Sequence, residues 1–273
     1  MHSLKPKNLL SIQESLAVGL KKVGHYIMKC RSLGITQGYW EGTQYKALAD
    51  IEANSRMCEE LQQILDIQII SEEDITTHDH RRPDVYWLVD PIDGTASFAH
   101  GFDGFVSQAA LILNEVPILA GVYAPALDKL FLAINGQGAT LNGYPLAVHS
   151  PDYFPAAPVL VDNYPTPRGI AAFLYSRLNC SRYVESGSIG LKICLVAEGK
   201  ADVFVKDVPV RDWDVAAPQL VLDEAGGIVT DFLGSSFQYR GSFHKRGLIA
   251  TPNYNFHNYV RRVADKNLSS TSS

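Results

Sequence analysis

The chain has 273 residues, 46% hydrophobic and 19% charged, a balance that excludes an intrinsically disordered chain and provides for a sizeable core. With 24 Lys and Arg against 29 Asp and Glu, the net charge is -5, which makes the surface as a whole a poor partner for nucleic acid or an anionic membrane. Cys30, Cys58, Cys180 and Cys194 show no metal-ligand spacing and read as free thiols of a reducing compartment. No apolar block has the length of a leader or a membrane span, so the expectation is a cytoplasmic protein.

Leu9, Ile12, Leu16, Leu20, Val23 and Ile27 recur at helical spacing and predict an amphipathic helix that stops near Gly34. Gly38 to Thr43 reads as a loop presenting Tyr39 and Trp40, and a second helix is expected from about Ala47 to Leu65 with Ile51, Cys58, Leu61 and Ile64 inward. Ile67 to Ser71 and Val85 to Val89 are β-branched runs and read as strands. Phe105 to Leu113, Ile118 to Tyr123 and Lys129 to Ile134 suggest an antiparallel meander, and Asn142-Gly143 is a hairpin signal. A proline-rich stretch from Pro151 to Pro167 then marks a junction. Beyond it the sequence predicts a strand at Val159 to Val161 and a helix at Gly169 to Leu178. A helix at Leu191 to Glu198, a strand at Val203 to Lys206 and a helix at Val215 to Leu222 follow. This gives an N-terminal α+β half over 1–145, a C-terminal α/β half over 146–265, and a polar tail, 266–273, expected to be disordered.

The chemistry concentrates in Trp87-Leu-Val-Asp90-Pro91-Ile92-Asp93-Gly94-Thr95. A buried strand ends in Asp90, and Pro91 is expected to stop it as a central strand. Asp90 and Asp93, separated by a sharp turn, can point into one space with the Ile92 carbonyl between them. That is an all-oxygen donor set suited to magnesium. Gly94 permits close backbone approach, and Thr95 can open a short helix whose amides favour phosphate. The alternative is that the two acids only cap the turn and the helix. Two more acidic sites end apolar segments: Ser71-Glu72-Glu73-Asp74, and Trp213-Asp214, with Asp214 expected just before a helix.

These motifs, with Glu224-Ala225-Gly226-Gly227, resemble the inositol monophosphatase superfamily in order and spacing from about Asp50 to Asn253. The resemblance implies an α+β fold, a layered αβαβα sandwich of the sugar-phosphatase type. It also implies magnesium-dependent, lithium-sensitive hydrolysis of phosphomonoesters of small metabolites, with two or three Mg2+ ions, in a homodimer. Position by position, it implies that Glu72, Asp90, the Ile92 carbonyl, Asp93 and Asp214 are metal ligands and that Asp50 belongs to a further, weaker metal position. Thr95 would work with Glu72 to orient the attacking water, and Asp93, Gly94 and Thr95 would meet the substrate.

The substrate is read from mixed features. Asp207, seven residues before Asp214, matches an acid that contacts ring hydroxyls in inositol monophosphatases; otherwise it is a solvated loop acid. Ser71 to Asp74, Val122 to Pro125 and Gly190 to Lys200 resemble instead the 3'(2'),5'-bisphosphate nucleotidases that act on 3'-phosphoadenosine 5'-phosphate. There Lys192 could pair with a second phosphate; otherwise it is a surface lysine on a helix. Ala96 and Ser97 match neither branch. Ala47 replaces a family threonine, and the loop from Gln37 to Gly42 lacks the usual lysines, which weakens the third metal position. An inositol monophosphatase-like enzyme comes first and the nucleotidase second. A histidinol-phosphate or sugar bisphosphatase and a non-catalytic metal-binding regulatory module remain as further readings.

Overall fold

The apolar stripe at the start of the chain folds into helix α1, Pro6–Ser32, which buries Leu9, Ile12, Leu16, Leu20, Val23 and Ile27. The computed structural model describes residues 6–41, 44–79, 81–148, 150 and 152–271. Where a loop is expected, β1 (Gly38–Glu41) and β2 (Gln44–Ala47) pair as an antiparallel hairpin, Gly38 opposite Ala47 and Glu41 opposite Gln44. Tyr39 is exposed on it, and the side chain of Trp40 lies outside the described residues. Helix α2, Leu48–Ile64, buries Ala49, Asp50, Ala53, Met57 and Leu61. The expected inward face holds at Leu61, which is buried, and is corrected at Ile51, which is 66% exposed; small alanines let α2 lie close to its neighbours.

The first sheet contains β3 (Ile69–Ser71), β4 (Val85–Asp93), β5 (Val106–Leu113), β6 (Val116–Ala124), β7 (Lys129–Ile134), β8 (Gly138–Leu141) and β9 (Tyr144–Leu146) in that spatial order. β3 is parallel to β4; all later pairs form the expected antiparallel meander. β4 does not stop at Pro91. Its pairing with β3 ends at Val89, and its register with β5 shifts between Asp90 and Asp93, so the missing proline N–H falls at an irregularity. Helix α3, Thr95–Ala99, follows at once.

The second sheet has the order β11-β10-β12-β16-β14. Its strands are β10 (Val159–Asp162), β11 (Arg182–Glu185), β12 (Val203–Lys206), β14 (Ile228–Thr230) and β16 (Leu248–Thr251), while β13 (Val210–Arg211) and β15 (His244–Lys245) pair separately. Helix α4 is Gly169–Arg177, α5 Ile189–Ala197, α6 Asp212–Glu224 and α7 Tyr254–Thr271. Two of the boundaries that differ from the sequence reading bear on the site and the tail. α6 begins early enough to place Asp214 inside its first turn, and α7 continues through Thr271, across most of the segment expected to be disordered.

Three apolar clusters define the layers. One joins α1 and α2 to the outer face of the first sheet through Leu16, Leu20, Ala53, Trp87 and Leu119. The central cluster puts α5 and α6 between the sheets, with Leu88, Val122, Phe131, Ile193, Val221 and Phe204 in contact. The third closes the second sheet with α4 and α7 through Leu174, Val205, Ile249, Phe256 and Val260. The result is an αβαβα sandwich. The two sheets use separate stretches of chain but share the core around α6. No helix among the described residues is long and apolar enough to cross a membrane.

Candidate metal centre

The end of β4 and the start of α6 meet beside the end of β3, and this junction collects the acids. Glu72, Asp90 and Asp214 each offer a carboxylate oxygen, all within 4.8 Å of one another. Asp90 is 1% exposed. Its Oδ1 accepts the Ile92 amide at 3.0 Å, whereas its buried Oδ2 has no hydrogen-bond donor. Asp214 Oδ2 accepts the Arg211 amide at 2.8 Å and so caps the helix that carries it. Glu72 is fixed by its backbone, its amide donating to the Val89 carbonyl at 3.2 Å.

Asp93 lies beside this group but faces α5. Its Oδ2 accepts the Ser188 hydroxyl at 2.5 Å and the Gly190 amide at 2.7 Å, and its Oδ1 is 3.3 Å from the Ile189 nitrogen. The carboxylate therefore sits on the unpaired amides of a helix N-terminus. Gly190 makes this approach possible: a Cβ there would lie 2.2 Å from Gln108 Oε1 and 3.2 Å from Asp93 Oδ2. Gln108 is itself buried and donates to the Trp213 carbonyl at 2.9 Å. Ser188 and Gln108 were not singled out from the sequence, and Gly190 only as the start of the stretch that resembles the nucleotidases. Gly187-Ser188 ahead of an apolar run was the available signal, since Ser188 is the N-cap of α5, with its hydroxyl oxygen accepting the Leu191 amide at 2.9 Å.

The other expected site residues fall as follows. The Ile92 carbonyl accepts the Thr95 hydroxyl at 3.0 Å. Gly94 has φ +90°, the left-handed region, and a Cβ there would be 3.1 Å from the Gly104 carbonyl oxygen. Asp50 is buried in the first turn of α2, its Oδ2 accepting the Ala47 amide at 2.8 Å, and it is not one of the three clustered acids. Asp207 is exposed just after β12. Lys192 is corrected from a surface lysine: it is 1% exposed, with Nζ 4.9 Å from the centre of the Phe204 ring and 3.4 Å from the Gly187 carbonyl oxygen.

The electrostatics are those of anions confined together. Burial, then the charge of Asp214, pushes Glu72 well above the usual carboxylate range. Burial, then Glu72 and Asp93, does the same to Asp90. Asp214 is raised to about 7 by burial and Asp93, against the pull of the Arg211 amide and the charges of Lys206 and Arg211. Burial also raises Asp93, opposed by Ser188, Gly190 and Lys192. Burial and the nearby Lys206 lower Lys192 to about 7. Near neutral pH these acids cannot all ionise without an added positive charge. A hard divalent cation fits the all-oxygen set, and the donorless Oδ2 of Asp90 is the clearest mark of that fit.

Comparison with known proteins identifies relatives of the chain. Inositol monophosphatase 2 of Solanum lycopersicum is 38% identical over 157 residues, covering 55% of this chain and 59% of that protein. The Nus factor SuhB of Escherichia coli K12 is 35% identical over 157 residues, 55% of this chain and 58% of its own length. The matched region thus spans less than two thirds of these curated relatives. The solved structure of the Thermotoga maritima IMPase superposes with a TM-score of 0.79 at 27% identity, covering 93% of this chain and 96% of that one. The inositol monophosphatase family pattern matches residues 11–268, and the chain belongs to the inositol monophosphatase family.

Proposed function

We propose that this protein is a magnesium-dependent phosphatase that hydrolyses a phosphomonoester of a small polyol-like metabolite. The observation that carries the reading is the convergence of Glu72, Asp90 and Asp214, whose carboxylate oxygens lie within 4.8 Å of one another. Glu72, Asp90 and Asp214 would hold the cation, with Asp93 and the Ile92 carbonyl beside them. When bound, the cation would offset the ester's negative charge and acidify a water for attack on phosphorus. The chain's own part is positional. Glu72 is the half-buried carboxylate able to accept a proton from that water. Thr95 stays oriented through its bond to the Ile92 carbonyl. The left-handed Gly94 keeps the β4–α3 turn tight, so that its backbone can approach the phosphate without a side chain between.

A polyol monoester is favoured over a bisphosphate nucleotide by two placements. Asp207 is exposed and can accept ring hydroxyls. Lys192, the candidate for a second phosphate, has its ammonium buried over Phe204. Phosphate release from inositol monophosphate and from 3'-phosphoadenosine 5'-phosphate, each with magnesium and with chelator, tests the reading. Turnover of the first that chelator removes is expected. Equal turnover in chelator would overturn the metal reading, and a preference for the nucleotide would overturn the substrate class.

A further inference from the structure

Glu72 and Asp214 come from distant parts of the chain, and the segments carrying them are fastened together away from the carboxylates. After Glu72 the backbone turns at Ile75–Thr77 and returns to the start of β4. On this return the His78 ring stacks on Trp213, centroids 4.8 Å apart at 28°, and His78 Nε2 is 2.7 Å from the Ser71 carbonyl oxygen. Further along, Arg82 Nη1 lies 2.6 Å from Asp212 Oδ2, with the two side chains 4% and 0% exposed. Lys245 Nζ is 3.4 Å from Asp212 Oδ1. The Phe243 carbonyl accepts the Asp212 amide at 3.0 Å, and the Arg82 guanidinium lies 3.9 Å from the centre of the Phe243 ring. The stack therefore joins a partner of the residue before Glu72 to the residue before Asp214. The ion cluster grips α6 one residue further back.

Helix α6 does not need this apparatus in order to start, because Asp214 supplies its own cap. A fully buried ion pair is also a weak source of net stability compared with apolar packing. The best-attested role of such a pair is instead to fix register between the segments it joins. Register matters here because clustered carboxylates repel, and without a restraint the first turn of α6 and the segment after β3 would relax apart.

We propose that the His78–Trp213 stack and the Arg82–Asp212–Lys245 ion cluster form a clamp that sets the separation of Glu72 and Asp214, and thereby the affinity for the divalent cation. The inference rests on the reading that Glu72, Asp90 and Asp214 hold that cation. His78, Arg82 and Asp212 are positioning residues: they act through Glu72 and Asp214, and none belongs to the clustered acids.

The test titrates Mg2+ into metal-free, substrate-free protein and follows the melting temperature, with the Mg2+ dependence of phosphate release measured in parallel. Wild type, Asp90→Asn, His78→Ala and Asp212→Asn are compared. The expected result is a Mg2+ midpoint raised about tenfold or more in His78→Ala and Asp212→Asn, the usual size of such supporting-residue effects. Turnover at saturating Mg2+ should return to within a few-fold of wild type, with KM for the ester unchanged. Should Asp212→Asn fail to fold because Arg82 is left buried without its partner, the half-buried His78 decides the matter alone. A lower melting temperature in chelator with an unchanged Mg2+ midpoint would show stability only and overturn the clamp. A wild type whose melting ignores Mg2+, or an Asp90→Asn that responds like wild type, would overturn the cation reading itself, and the clamp with it.

Discussion

Removing one charge from the carboxylate group should make the metal-free protein more stable, and should do so only where that charge exists. Asp214 has its pKa raised from an ordinary 3.8 to about 7, by burial first and the charge of Asp93 second. Between those values the native chain holds a proton that the unfolded chain has released, so stability falls as pH rises through the interval. Fully developed above neutrality, the penalty is about 4 kcal/mol at 1.36 kcal/mol per pH unit. Between about pH 5 and pH 8 it grows by roughly 3 kcal/mol, which for a chain of this size is a shift of about 6 °C in melting temperature. In Asp214→Asn the amide oxygen can still accept the Arg211 amide, so the helix cap survives while the charge is lost. In chelator, the variant should melt above wild type throughout, with the lead smallest at the acidic end and several degrees larger at the alkaline end. Relief of Glu72, which Asp214 also pushes upward, acts in the same direction. With Mg2+ the order should reverse, because the wild type gains a ligand that the variant binds poorly. Differential scanning fluorimetry across pH, with chelator and with Mg2+, is the assay. A difference between variant and wild type that stays constant across pH in chelator would refute the reasoning.

Asp90→Asn should abolish phosphate release by several orders of magnitude while circular dichroism remains native, since Oδ1 still has an amide-side substitute for its contact with the Ile92 nitrogen. Near wild-type turnover in that variant would remove the metal hypothesis. Gly190→Ala should cost about 1–3 kcal/mol in denaturant unfolding and lower Mg2+ affinity, because its Cβ would meet Gln108 Oε1 at 2.2 Å in the contact that seats Asp93. His257 is buried, bonded to Thr230 and Thr251, and held down to about 4 from 6.5, chiefly by burial. In that window the unfolded chain binds a proton that the native one refuses, so up to about 3 kcal/mol of stability should disappear as pH falls from 6.5 to 4. A His257→Gln variant should lose this acid slope, and unchanged acid sensitivity would count against the assignment.

Legibility in the sequence followed locality. The α1 stripe is uniform enough to be read residue by residue, and the Asp90 to Thr95 motif brings its chemistry within a few positions of one strand end. Asp214 was legible as an acid that caps an apolar helix, though its place inside the first turn of that helix was not. The inward face of α2 was read correctly at Leu61 but not at Ile51, because Ala49 and Ala53 bury close packing with little hydropathy while Ile51 is exposed. β14 and β16 are too short to show a period, and β1 and β2 consist of polar and aromatic residues whose pairing supplies what the pattern lacks. The seating of Asp93 on α5 and the pairing of Arg82 with Asp212 join residues far apart in the chain, and no local pattern announces either.

The strand order of the two sheets also bears on how the molecule comes to exist. From β4 to β9, each strand of the first sheet pairs with the next in sequence, so this sheet can form from nearby contacts as the chain emerges. The second sheet cannot: β12 lies between β10 and β16, and β16 must arrive before β14 has a partner. During synthesis, Glu72 and Asp90 therefore come together while Asp214 is still unmade or unplaced. If the three acids hold a cation as proposed, that cation can act only on the finished cluster, and the first sheet would assemble without its help. A ribosome-bound chain truncated after β9 should accordingly resist protease over the meander equally well with or without magnesium.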